Sequence, residues 1–197
     1  MWTSIRAARP FTQEESRSRL ISCLFTRTPY PCRMTFTLLR ATAADVPALF
    51  RMRRAVEEHF AAAHINQWPV GSMPEQEVAG YVASGEFYAL RDESGALVSA
   101  IRAMDADPLW GSIGFEPALY LHTLMTDPVH TSRGAGTAML AAMDGVARER
   151  GENRVRLDCA TYMIPFYEAR GYSRTAHERP AAPPYSGFQL YLLEKHV

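Results

Sequence analysis

The sequence predicts a single-domain α/β (α+β) fold, and three observations carry that expectation. Its 197 residues, 47% of them apolar, suffice for one proper hydrophobic core. Along most of the chain, short segments with the period of a strand alternate with segments that have the period of a helix. The stretch Leu119 to Met139, LYLHTLMTDPVHTSRGAGTAM, joins the two periods directly. An apolar strand containing Thr and His breaks at Asp127-Pro128. A turn with Gly134-Ala135-Gly136 follows, and then a helix with Met139, Leu140, Met143 and Val146 on one face.

The remaining elements follow in chain order. Residues 1–33 carry six Arg against two Glu and little periodicity, which reads as an N-terminal extension preceding a domain over 34–197. An organelle-targeting segment is the second reading of that extension, weakened by Glu14-Glu15. Thr35 to Arg40 reads as a first strand. A helix starts after Thr42, with Thr42 or Asp45 as cap and Pro47 in its first turn. Val46, Leu49, Phe50 and Val56 form its apolar stripe, and Arg51, Arg53, Arg54, Glu57 and Glu58 read as its solvated face. A linker over His59 to Pro74 contains Trp68. Ser72 with Glu75 then has the spacing of a capping box for a second helix with Val78, Tyr81 and Val82.

Glu86 to Arg91 and Ala96 to Met104 form a hairpin about the turn Asp92-Glu93-Ser94-Gly95. Asp105 to Pro117, with Trp110, is a loop that either borders a site or only connects two strands. After the helix over Met139 to Val146, Gly151 ends a cation-rich last turn. A strand over Arg154 to Cys159, a short helix near Ile164 to Arg170, a strand at Tyr172 and a closing strand at Phe188 to Leu193 complete the chain.

Composition narrows the function. Lys+Arg and Asp+Glu both number 21, so the formal net charge is zero and no electrostatic nucleic-acid footprint is expected. No apolar run is long enough to span a bilayer. Cys23, Cys32 and Cys159 have no metal-ligand spacing, so no metal is expected, and the reducing cytoplasm suits them.

A strand, a glycine turn and a helix N-terminus together suit a phosphate group. The free N–H groups of the first helical turn and the helix dipole both favour an anion, and glycines let it approach the backbone. No Lys-Ser or Lys-Thr follows the glycines, so the turn is not a P-loop. Met139 stands where a dinucleotide fingerprint needs its third glycine. By itself, Gly-x-Gly also fits an ordinary tight connection.

Two motifs in order carry a resemblance. Thr131-Ser132-Arg133-Gly134-Ala135-Gly136 resembles the Arg/Gln-x-x-Gly-x-Gly/Ala turn of the GNAT superfamily of N-acetyltransferases, with Thr131 where the family usually has Arg or Gln. Tyr167-Glu168-Ala169-Arg170-Gly171-Tyr172 resembles that family's Tyr-Glu-x-x-Gly-Phe signature, and Ala160 replaces a frequent Asn. The resemblance covers roughly Met34 to Val197. It implies one GNAT-like domain, a mixed twisted sheet of about seven strands with helices on both faces.

It also implies acetyl-CoA as co-substrate. The pyrophosphate would lie on Thr131, Ser132, Arg133, Gly134, Ala135, Gly136 and Thr137. The pantetheine arm would lie along the main chain of Leu124, Met125 and Thr126, where the family's fourth and fifth strands splay. The reaction implied is direct transfer of acetyl to a primary amine of a small molecule or peptide. A non-catalytic acyl-CoA-binding module with the same fold is the rival reading. Dimerisation is common in the family.

Tyr167, which matches the tyrosine of the signature, is the expected acid at the CoA sulfur. His122 is the expected base, because a neutral imidazole suits removal of a proton from an ammonium, and Leu121-His122-Thr123-Leu124 resembles the matching strand of arylalkylamine acetyltransferases. A core histidine is the competing reading, with an ordered water or a glutamate (Glu86 or Glu116) then as the base. Strand alternation puts His122, Leu124 and Thr126 on one face. Trp68 and Trp110 are the expected acceptor-side residues, with Phe87 a further aromatic. Cys159 reads as a buried strand cysteine.

Overall fold

A computed structural model describes residues 19–25, 32–108, 110–111, 117–130, 134–180 and 189–197 of the chain. They form one mixed sheet of eight strands, in the order β1-β2-β3-β4-β5-β6-β8-β7. The strands are β1 Arg19–Phe25, β2 Cys32–Arg40, β3 Phe87–Arg91, β4 Leu97–Met104, β5 Leu119–Thr126, β6 Arg154–Ala160, β7 Ser173–Pro180 and β8 Gln189–His196. The helices are α1 Val46–Ala62, α2 Glu75–Ala83, α3 Ala135–Glu149 and α4 Ile164–Glu168. Sequence periodicity anticipated about seven strands. The eighth is β1, which pairs antiparallel with β2 inside the segment read as an extension.

The sheet buries its two faces against different helices. Met139, Leu140, Met143 and Val146 of α3 pack on Leu119, Leu121, Val155 and Leu157, with Ile164 and Tyr167 of α4 beside them. Leu49, Met52 and Val56 of α1 and Val78 and Val82 of α2 pack on Ala89, Ala100 and Met125 of the opposite face. A satellite cluster holds Trp110, Ala118, Tyr120 and Leu192. Phe87 is fully buried with α1 and α2, so it is core rather than pocket wall.

Local chemistry sets the helix boundaries. The Asp45 carboxylate accepts the Thr42 backbone N–H at 2.8 Å, and Pro47 sits in the first turn of α1, where its missing N–H costs nothing. That helix runs on through His59 to Ala62, into the segment read as a linker. The capping box expected at Ser72 is not made. Pro74 is the N-cap of α2, and the Ser72 hydroxyl donates to Glu57 instead. The charged face assigned to α1 also needs correction. Arg53 and Glu57 are 1% and 0% exposed and pair at 2.7 Å.

Two features of β5 position everything that follows. It pairs parallel with β6 only over Leu119–Leu121 against Val155–Leu157, so the strands part company at His122 and Asp158. On its other edge the register with β4 slips: Arg102 lies opposite His122 and Ala100 opposite Met125, leaving Thr123 and Leu124 against Ile101. This is a β-bulge, and Thr123 adopts a left-handed φ of 54° within it. One extra residue inverts the alternation. Leu124 therefore packs on the α3 side and Met125 on the α1 side, whereas His122 reaches Asp158 on the face away from α3. His122 does not share a face with Leu124 and Thr126, contrary to simple alternation.

Candidate active site

The open end of the β5–β6 junction carries the chemistry. The Nε2 of His122 is 2.9 Å from Oδ2 of Asp107, and its Nδ1 is 3.3 Å from Oδ1 of Asp158. Asp107 comes from the loop after β4 and its side chain is 3% exposed; the Asp158 side chain, on β6, is 16% exposed. Burial works against a charged imidazole here. The Asp107 hydrogen bond and the charges of Asp158 and Asp107 outweigh it and raise His122 above its ordinary 6.5, with Arg102 opposing. Burial raises Asp158 as well, partly offset by His122. The ligand atoms of the three groups lie within 4.8 Å of one another, close enough to share one proton or one small cation. The loop over Asp105 to Pro117 thus borders the site through Asp107. Sequence reasoning assigns a role to neither aspartate. Its one available signal was an acidic residue inside the apolar strand RVRLDCA, where Asp is disfavoured.

Tyr167 approaches from the α3 side. Its ring is buried between Phe166 and Tyr172, both edge-on, at 5.1 and 5.7 Å between centroids. Burial, then the neighbouring Cys159, Asp158 and Tyr162, holds the phenol well above its usual range. It therefore keeps its proton and serves only as a donor. Asp158 raises both Tyr167 and His122, so its charge is felt by groups on both faces of the sheet at the gap. Cys159 lies in the core, and burial pushes its thiol to about 12, so it is a packed strand residue and no nucleophile.

The expected cofactor cradle is partly within the described residues. Thr131, Ser132 and Arg133 lie outside them. Gly134 caps α3 with a left-handed φ of 79°, a conformation that favours glycine, and the first turn of α3 carries no acidic side chain. A Cβ added at Gly136 would meet Thr126 Oγ1 at 3.3 Å and Phe166 Cζ at 3.6 Å, so glycine lets α3 start hard against the end of β5. Arg170 fixes α4 to the same turn: its Nη2 donates to Thr137 Oγ1 at 2.6 Å and its guanidinium lies 3.7 Å from the Phe166 ring centroid. The Met125 carbonyl already accepts a 2.7 Å hydrogen bond from Ser99 Oγ, while the β5 backbone beyond Leu121 is not paired with β6. A glycine-tight helix start beside an opened strand edge fits an extended ligand that ends in phosphate.

The two tryptophans part ways. Trp68 sits in the segment between α1 and α2, under the Arg53 guanidinium at 3.9 Å. Its neighbour Gln67 accepts a hydrogen bond from the Tyr162 hydroxyl, which ties that segment to the connection leaving β6. Trp110 is 1% exposed and packs on Tyr120 and the Arg156 guanidinium in the satellite cluster. The structure gathers His122, Asp107 and Asp158 at the gap, and gives Trp110 to the satellite core.

Comparison with known proteins agrees with this fold. The model of the acetyltransferase (GNAT) family matches residues 53–172. No curated protein matches the chain in sequence. A GNAT-family acetyltransferase from Listeria monocytogenes superposes with a TM-score of 0.69 at 17% identity, covering 83% of this chain and 96% of that one. A ribosomal-protein-alanine N-acetyltransferase from Brucella melitensis has a TM-score of 0.64 at 15% identity, covering 81% and 99%. The PaiA N-acetyltransferase from Thermoplasma acidophilum, solved with coenzyme A, has a TM-score of 0.60 at 13% identity, covering 82% and 99%. At these identities the likeness is one of fold. Among the described residues no helix is long and apolar enough to cross a membrane.

Proposed function

The chain belongs to the acetyltransferase (GNAT) family, and we propose that it transfers acetyl from acetyl-CoA to a primary amine of a small molecule or peptide by direct attack. The observation that carries this reading is the parting of β5 from β6 after Leu121 and Leu157, with a histidine held by two carboxylates on one face of the gap and a proton-bearing phenol on the other. Acetyl-CoA, as co-substrate, supplies a thioester. Residues 131–137 would hold its pyrophosphate at the start of α3, and the main chain of Leu124, Met125 and Thr126 would face its pantetheine arm. With the Met125 carbonyl engaged by Ser99, the Leu124 and Thr126 backbone groups are the ones left toward the gap.

The acceptor reaches the site as an ammonium and must lose a proton before it attacks. His122 takes that proton. Because His122 titrates above 6.5, turnover rises with pH as the imidazolium is lost. Tyr167 gives its proton to sulfur as the C–S bond breaks, and the second proton released by the attacking nitrogen returns to the Tyr167 oxygen. Trp68 is proposed on the acceptor side, in the segment that Gln67 ties to Tyr162. Trp110 is packed in the satellite cluster with Ala118, Tyr120 and Leu192. Residues 34–197 are proposed as the catalytic domain, working in the cytoplasm on an acceptor that is neither nucleic acid nor membrane, without a metal, and in a form that includes the homodimer common in the family.

The test is release of CoA thiol from acetyl-CoA over a panel of amines, in wild type and Tyr167→Phe. The expected result is turnover that falls about 10²-fold in the variant while calorimetric CoA affinity is kept. CoA binding without turnover on any amine would favour the non-catalytic reading. Unchanged turnover in Tyr167→Phe would remove that residue from the mechanism.

A further inference from the structure

The facing of His122 and Asp158 contains an unmet requirement. Asp107 is a carboxylate and can only accept, so the Nε2 it touches at 2.9 Å must carry a hydrogen. In the neutral imidazole that a base requires, Nδ1 is then a bare lone pair. Yet Nδ1 looks at a second carboxylate oxygen, Asp158 Oδ1, only 3.3 Å away. Two acceptors cannot bond to each other. A shared proton or a group with N–H or O–H donors that contacts both has to satisfy them whenever His122 is ready to act. The other charges nearby do not supply it. Arg102, opposite His122 on β4, is engaged by Glu86 at 2.5 and 3.0 Å. Arg156, on the same face of β6, donates to Glu194 and to Tyr120. Two aspartates facing one neutral imidazole therefore favour a positive charge at this spot, with the Nδ1–Oδ1 pair still to be bridged.

We propose that Nδ1 of His122 and the carboxylate of Asp158 together seat the acceptor's ammonium group, with Asp107 as the positioning residue that fixes the imidazole. This deepens the acetyl-transfer reading and rests on it. An R–NH3+ group has three donors and one positive charge, which matches two adjacent acceptors with net negative charge. One N–H points at Nδ1 and is the proton that moves: that N–H bond breaks, an Nδ1–H bond forms, and the nitrogen keeps the electron pair for attack. A second N–H stays on Asp158, which holds the amine in place while its lone pair turns toward the gap between β5 and β6. Asp158 then also stabilises the new imidazolium. The seat selects ammonium groups with at least two N–H donors, because a quaternary ammonium has charge without donors and a hydroxyl has a donor without charge.

The alternative is static: an imidazolium permanently bridging the two aspartates, with no place for a cation. Nuclear magnetic resonance of the full-length chain with nitrogen-15 histidine separates the two. The His122 signal among the six histidines is assigned by its absence in His122→Gln. Ethylammonium is the probe and tetramethylammonium the control. Ethylammonium is expected to shift His122 Nδ1 saturably and to move its titration to lower pH as its concentration rises, because ammonium and proton compete for one position. Tetramethylammonium is expected to do neither. In Asp158→Asn the ethylammonium affinity should fall by about tenfold or more. Equal responses to both cations, no response to ethylammonium, or full affinity in Asp158→Asn would overturn the proposal. The wild-type comparison stands even if the variant does not fold. Neither measurement needs turnover, so failure here is distinct from failure to acetylate.

Discussion

Two buried charge clusters in this molecule look alike in composition and differ in satisfaction. In the first, Glu57 has both oxygens filled. Oε1 accepts from Arg53 Nε at 2.7 Å and Ser72 Oγ at 3.0 Å, and Oε2 from Gly71 N at 2.8 Å and Arg54 Nη1 at 3.1 Å. Arg53 completes the cluster by lying over Trp68. In the second, His122 faces a carboxylate through each ring nitrogen, and as a neutral base it can satisfy only one of them. A filled network fixes structure, here the segment between α1 and α2. An unfilled one stores a demand for a proton or a cation, and that demand is what a base for an ammonium requires.

Breaking the filled network is expected to have the largest effect. Glu57→Ala leaves Arg53 buried without its partner and should cost about 3–5 kcal/mol of stability, read by denaturant unfolding. Its pH signature has a definite sign. Burial alone would raise Glu57, but the bonds from Arg53, Gly71 and Ser72 outweigh it and lower it below 4.5. Its stabilisation is therefore complete above the unfolded value and is lost as pH falls through the folded one, a dependence that Glu57→Gln should remove.

The unfilled cluster should answer in rate instead. His122→Gln is expected to lose about 10²–10⁴ in turnover with an unfolding midpoint close to wild type. A midpoint that collapses while residual turnover persists would make His122 structural. Asp107→Asn is a finer probe. It removes a charge that raises His122, so the acid limb of the kcat/KM profile should move to lower pH, with acetyl-CoA affinity unchanged. The smallest effect belongs to Cys159→Ala. A buried thiol pushed to about 12 has no part in the chemistry, so turnover should stay within about twofold of wild type.

The same contrast explains how much of the molecule the sequence disclosed. The α3 stripe at Met139, Leu140, Met143 and Val146 is a local signal, and it appears where the periodicity placed it. Gly134 and Gly136 were readable because a left-handed cap and a close helix approach both demand glycine. Arg53 and Glu57 were misread because an i,i+4 pair on a helix looks the same whether water or protein lies outside it. The face of His122 was misread because a one-residue bulge at Thr123 leaves no mark in the pattern. Asp107 and Asp158 lie 15 and 36 residues from His122, in a loop and on another strand. Only the parallel pairing of β5 with β6 and the loop after β4 bring them together.

The central claim is that an acyl-CoA occupies the gap these elements frame. A calorimetric titration of the full chain with acetyl-CoA, with NADH as a control for phosphate binding in general, tests it most directly. The account predicts saturable binding of acetyl-CoA at about micromolar strength, near −8 kcal/mol, and none of NADH. No heat with acetyl-CoA at millimolar concentration would contradict it: the fold would stand, but the opened strands and the glycine-capped helix would not be a cofactor site.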